Sequence, residues 1–129
     1  MGVNDVAYYS QKTGAVISLE QYASAVTDIV DRLHKAGVRV IGQTLPPRSG
    51  FVKKGYTPEM EALRVRINEW IRDSALFDYM VDADALLRDP KNPSFTDERY
   101  HQGDHLHPNQ AGGMLLAQAY DLQKLTGEA

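Results

Sequence analysis

Asp104 and His107 stand three residues apart in the tract Gly103-Asp104-His105-Leu106-His107-Pro108-Asn109, just ahead of a helical pattern. In a loop, that spacing lets the carboxylate turn back and accept a hydrogen bond from the imidazole Nδ1. The bond fixes the tautomer, and Nε2 can then act as a base toward a hydroxyl. The carboxylate also stabilises the imidazolium that forms once the proton is taken. A plainer reading of the same residues makes Asp104 a helix cap and His107 a surface histidine. A second tract, Gly2-Val3-Asn4-Asp5, joins a residue that permits close backbone approach to an amide able to donate to an oxyanion. Read alone, it is a turn.

A metal is the main chemical alternative. His101, Asp104, His105 and His107 fall within seven residues, and imidazole with carboxylate suits zinc. Against it, His105 and His107 alternate closely and the sequence offers no distant ligand, so the expectation is a loop of solvated histidines and no metal. Cysteine is absent, which removes disulfides, cysteine-ligated zinc and thiol catalysis. There is no Gly-rich phosphate loop, which ranks a nucleotide-binding regulator last. Tyr8, Tyr9, Trp70 and the methionines read as core or rim packing.

Three helices and two strands must position these groups. Leu19 to Lys35 places Leu19, Tyr22, Val26, Ile29, Val30 and Leu33 on one face at a period of 3.6. Ser18 and Gln21 form a capping-box pattern before it, and Gly37 follows where a left-handed cap is expected. Val38 to Leu45 is a β-branched run ended by Pro46-Pro47, a mostly buried strand. Thr57-Pro58 opens the second helix, with Met60, Leu63, Ile67, Trp70 and Ile71 as its buried stripe. A short strand, Tyr79 to Asp82, follows, and Asp84 to Leu87 adds a turn of helix. Arg88 to Pro108 is polar and turn-rich, a length that signals a functional or mobile connection. The last helix spans about Gln110 to Leu125, with Met114, Leu115, Gln118, Leu122 and Leu125 on one side. The order of strands and helices favours the α/β class.

The chain has 129 residues, 17 acidic and 14 basic, and a formal net charge of -3. Its 43% hydrophobic and 24% charged content is that of a globular protein. No apolar run is long enough to span a bilayer. Mild acidity without a basic cluster argues against nucleic acid as a partner. The first residues carry neither the basic stretch nor the apolar core of a signal peptide, and Val6 stands where a myristoylation signal has Ser or Thr. The chain reads as cytoplasmic, or as a piece of a longer polypeptide.

Taken together, the tracts resemble the SGNH hydrolases, also called GDSL esterases and lipases. Gly2-Val3-Asn4-Asp5 is similar to that family's Gly-x-Asn-Asp block, and Asp104 to Asn109 to its Asp-x-x-His-Pro-Asn block. Arg39 to Pro47, Asn68 to Arg72 and Val81 to Pro90 are similar to the intervening segments of its bacterial branch of secreted esterases. The resemblance implies a flavodoxin-like three-layer αβα sandwich around a parallel sheet of about five strands. It implies carboxylic ester substrates, no cofactor, and a triad in the chain order Ser, Asp, His. By position, Asp104 orients, His107 is the base, Asn4 is an oxyanion donor and Gly2 shapes the backbone beside it.

The family's Gly-Asp-Ser block and its second block would both lie upstream of Met1. Residues 1–129 therefore read as the carboxyl-terminal part of a single domain, with the nucleophile outside this chain. Ser10, Ser18, Ser24, Ser49, Ser74 and Ser94 remain, and none stands in a strand–turn–helix elbow. Asp73-Ser74-Ala75-Leu76 imitates the block but follows a helix. Ser49 follows the first strand at the carboxyl edge, where ligands bind in such sheets. Without the earlier strands, Val38 to Leu45 presents an open apolar edge. The expectation is a chain that is inactive alone and unstable as a monomer. It self-associates through that edge, or pairs with the amino-terminal part of the domain. A non-catalytic interaction module is the alternative.

Overall fold

The computed structural model describes residues 2, 4, 6, 13–51 and 55–126. Val3, Asp5, Tyr8, Tyr9 and Ser10, which the sequence reading used, lie outside the described residues.

Helix α1 spans Leu19–Lys35, and the expected capping box is present. The Ser18 hydroxyl accepts from the Gln21 N–H at 3.1 Å, and the Gln21 carbonyl Oε1 accepts from the Ser18 N–H at 2.9 Å. At the other end Gly37 adopts φ 76°. The N–H of Val38 then reaches back to the Leu33 carbonyl and that of Gly37 to the His34 carbonyl, a Schellman closure. Tyr22 and Val30 are buried on this helix, whereas Ile29 is 40% exposed.

Strand β1 covers Ile41–Gln43 only, shorter than the expected Val38 to Leu45. Both ends are trimmed for a physical reason. The Val38 N–H is spent on closing α1. At Leu45, the Asn68 side chain takes over as the backbone's partner, its Oδ1 accepting from Leu45 N–H at 2.7 Å and its Nδ2 donating to Leu45 O at 2.8 Å.

Helix α2, Pro58–Asp73, is capped by Thr57, whose hydroxyl accepts from the Met60 N–H. Met60, Leu63, Ile67 and Ile71 are buried as expected, and Trp70 packs half-buried against them. Strand β2, Tyr79–Val81, pairs parallel with β1 in the register Ile41–Tyr79, Gly42–Met80 and Gln43–Val81. Helix α3, Ala83–Leu87, follows directly, capped by Asp82. The described residues thus form an α/β unit on a two-stranded parallel sheet. Its core joins Val6, Tyr22 and Leu45 to the inner face of α2.

The single last helix expected from Gln110 to Leu125 is two helices, α4 (Gln110–Ala119) and α5 (Leu122–Thr126). Tyr120 breaks the run with an extended backbone, and its hydroxyl bonds Gln43 Oε1 at 2.5 Å. The Tyr79 hydroxyl donates to the Ala119 carbonyl at 2.6 Å, satisfying the end of α4. Asp121 then restarts the helix by accepting from the N–H groups of Gln123 and Lys124. On the side expected to be apolar, Met114 is 56% and Leu122 73% exposed, while Leu115 and Leu125 are half-buried.

A charged network locks α2 to the strand ends. The buried Arg64 guanidinium donates to Asp84 at 2.6 Å, to the Leu45 carbonyl at 2.8 Å and to both Glu61 oxygens. Arg72 bridges Asp82 and Asp84 at 2.8 Å each. Burial works against the charge on Arg64, but the two carboxylates hold its affinity for the proton above the ordinary arginine value. Between the strands, the Thr44 hydroxyl donates to Asp82 and accepts from the Asp84 N–H, both at 2.9 Å. Burial acts to raise the Asp82 carboxyl, yet hydrogen bonds from Arg72, the Ala85 N–H and Thr44 pull it down to about 2.

Candidate active site

The segment after α3 is built from short turns rather than left loose. Asp89 N–H bonds Phe95 O, Asp97 N–H bonds Leu87 O, and buried Thr96 donates to the Pro47 carbonyl at 3.2 Å. Ser49 N–H reaches Ser94 O, so the loop following β1 is stitched to this segment. At its far end, residues 101–108 fold into a compact turn closed by a His101–Pro108 bridge. Gln102 N–H bonds the His107 carbonyl across the same turn.

Within that turn the expected pairing is present. The Asp104 Oδ2 and the His107 Nδ1 lie 2.5 Å apart. Asp104 Oδ1 is separately held by the N–H groups of Leu106 (3.0 Å) and His107 (2.9 Å). The His107 hydrogen bond, reinforced by these two amides, drives the Asp104 carboxyl far below the usual carboxylate range. It is therefore ionised at neutral pH and acts as acceptor, so His107 Nδ1 carries the proton. In the neutral ring Nε2 then keeps its lone pair, on a side chain 62% exposed. Phe51 meets the His107 ring edge-on at 6.0 Å between centroids, bringing the loop after β1 to its flank.

Helix α4 begins directly behind the pair. Asn109 is its N-cap, accepting from the Gly112 N–H at 2.9 Å while its Nδ2 donates to the carbonyls of Arg99 and His101. The helix approaches so closely that a Cβ on Gly112 would lie 2.4 Å from the Tyr100 carbonyl oxygen. The role foreseen for Asp104 as a helix cap thus belongs to Asn109.

The histidines serve separate ends. His101 is buried and its Nδ1 accepts two backbone N–H groups, while His107 Nδ1 is engaged by Asp104. Among the described residues, no three His, Cys, Asp or Glu side chains converge as ligands for a metal ion.

Gly2 and Asn4 lie elsewhere, in the wall of a cavity of about 490 Å³ beside β1, with Val26 and Val30 of α1 and Ile41 and Leu45 of the strand segment. Gly2 is buried with φ 125°, and a Cβ there would sit 2.6 Å from Leu45 Cδ2, so close approach is its role in this wall. Asn4 is exposed. Asp104 and His107 are not among the residues lining this cavity.

Three of the described serines have local roles. Ser18 caps α1, Ser74 ends α2 and accepts from Leu76 N–H, and Ser94 bonds Asn92. Ser49 lies beside Gly50, whose α-carbon packs against the His105 side chain. Sequence reasoning passed over the contributions of His101 and Phe51. The spacing of His101 ahead of Gly103-Asp104 is the available signal; the sequence places it in a loop of solvated histidines, whereas the ring is buried.

The described residues thus form a parallel α/β unit in which an exposed imidazole is hydrogen-bonded to an ionised carboxylate. The chain belongs to the GDSL-like lipase/acylhydrolase family, whose model matches residues 1–114. That match spans both Gly2–Asn4 and Asp104–His107. No curated protein sequence matches the chain. No helix among the described residues is long and apolar enough to cross a membrane.

Proposed function

We propose that this chain carries the acid–base half of a serine carboxylic-ester hydrolase. His107 takes the proton from a serine hydroxyl as it attacks the ester carbonyl, then returns it to the departing alkoxide. Asp104 holds the ring and balances the imidazolium that forms in between. The family resemblance assigns Asn4 as an oxyanion donor, with Gly2 giving the backbone room beside it, although both line the cavity beside β1, which Asp104 and His107 do not line. No cofactor enters this chemistry. The observation that carries the reading is the 2.5 Å Asp104–His107 pair, with its carboxylate pinned by two amides and its imidazole exposed.

The nucleophile, in this reading, comes from a segment outside residues 1–129. The local duties of Ser18, Ser74 and Ser94 support this, as does the absence of a strand–turn–helix elbow around any described serine. The same segment supplies further parallel strands against β1 and completes a flavodoxin-like sandwich of which these residues are the carboxyl-terminal part. The chain by itself is then inactive. It should hydrolyse p-nitrophenyl acetate no faster than its His107→Ala variant and take no label from a fluorophosphonate. Fluorophosphonate labelling of a serine in this chain, lost in His107→Ala, would overturn the external nucleophile.

A further inference from the structure

The buried ring of His101 makes an arrangement that helix capping and core packing do not explain. Its Nδ1 accepts from the Gly103 N–H at 2.9 Å and from the His105 N–H at 3.2 Å. A nitrogen that accepts two amide protons carries none of its own, so the ring proton of the neutral imidazole is on Nε2. That Nε2 is buried and has no hydrogen-bond partner among the described residues. The residue is 8% exposed, and a buried donor without an acceptor is a standing cost. Something must be gained at Nδ1 to retain it.

The gain is visible in the backbone it holds. Gly103 has φ 95° and His105 has φ 61°, the one positive value of a residue other than glycine among the described residues. A left-handed non-glycine residue persists only where its surroundings fix it. His101 fixes both ends of this reversal, bonding the amides on either side of Asp104. Its ring also lies against that of His105, with centroids 4.4 Å apart and planes tilted by 41°, and His105 packs edge-on against Phe95. The reversal turns the Leu106 and His107 N–H groups back onto Asp104 Oδ1, which aims Oδ2 at His107.

We propose that His101 is a positioning residue for the Asp104–His107 pair. Its unprotonated Nδ1 locks the left-handed turn that aims the Asp104 carboxylate. This deepens the hydrolase reading and rests on it for the importance of the pair, but its test reads ring geometry and uses no ester. A protein with the stated tautomers and no hydrolase activity in any assembly would sink the function and leave the positioning intact.

The test is the nitrogen chemical shifts of the imidazoles in the ¹⁵N-labelled chain, recorded where the rings are neutral. In the unaltered chain His101 should be the Nε2–H tautomer, and Nδ1–H there would overturn the proposal outright. In His101→Leu, which removes the acceptor but keeps an apolar side chain, His107 should lose its single Nδ1–H tautomer. In His101→Asn, whose Oδ1 is attached to Cγ as Nδ1 is, His107 should keep it. An unchanged His107 in a folded His101→Leu, or its loss in both variants, would contradict the assignment. Should His101→Leu fail to fold, the tautomer of the unaltered chain and the His101→Asn spectrum decide alone.

Discussion

The side-chain amide of Asn68 closes on the main chain of Leu45 from both sides, accepting its N–H at 2.7 Å and donating to its carbonyl at 2.8 Å. A helix side chain thus stands where a neighbouring strand would, and ties α2 to the exit of β1. Replacing Asn68 by leucine leaves the Leu45 N–H buried without a partner, while the carbonyl keeps Arg64. The expected loss is about 1–3 kcal/mol, the cost of one orphaned amide. Urea unfolding of Asn68→Leu checks it, and an unchanged midpoint would show the clamp to be dispensable.

Asp82 gives the fold an acid limit. Its carboxyl is held at about 2 in the folded chain, against roughly 3.9 in an unfolded one. A depressed folded value means the unfolded state binds the proton first. The contribution is therefore complete above about pH 4 and fades as the pH falls toward about 2. Urea midpoints should hold between pH 7 and pH 5 and drop between pH 4 and pH 2. Asp82→Asn should be less stable at neutral pH and should lose less on acidification. Equal acid sensitivity of the two would contradict the assignment.

Among the described residues no strand pairs with the outer side of β1, which predicts association. Val40 O and Thr44 N–H both bond toward β2, so by the alternation of a parallel ladder Ile41 and Gln43 turn their backbone groups to the other edge. That edge borders an apolar cavity, and Val38 is 46% exposed near it. Unpaired edges of this kind recruit further strands. Size-exclusion chromatography with light scattering should find dimers or larger species. A monodisperse, well-folded monomer of 14.4 kDa would contradict it.

Local signals were the most legible. The Ser18–Gln21 box, the Gly37 turn and the Thr57-Pro58 start each act within a few residues, so spacing alone reveals them. The Asp104–His107 pair was legible for the same reason, being closed within one turn. What spacing missed is long-range. The early end of β1 depends on Asn68, 23 residues away, and the break at Tyr120 on Gln43 and Tyr79, across the fold. His101 was misjudged because its burial comes from tertiary packing, which four nearby imidazole and carboxylate groups in sequence do not disclose.

In the proposed function, Asp104 sets His107 as a base with its lone pair on Nε2. The imidazole ¹⁵N spectrum of His107 tests it most directly, recorded at a pH where the ring is neutral. The unaltered chain should show the Nδ1–H tautomer alone, and Asp104→Ala should convert it to a mixture. A His107 that carries its proton on Nε2 in the unaltered chain would contradict the account.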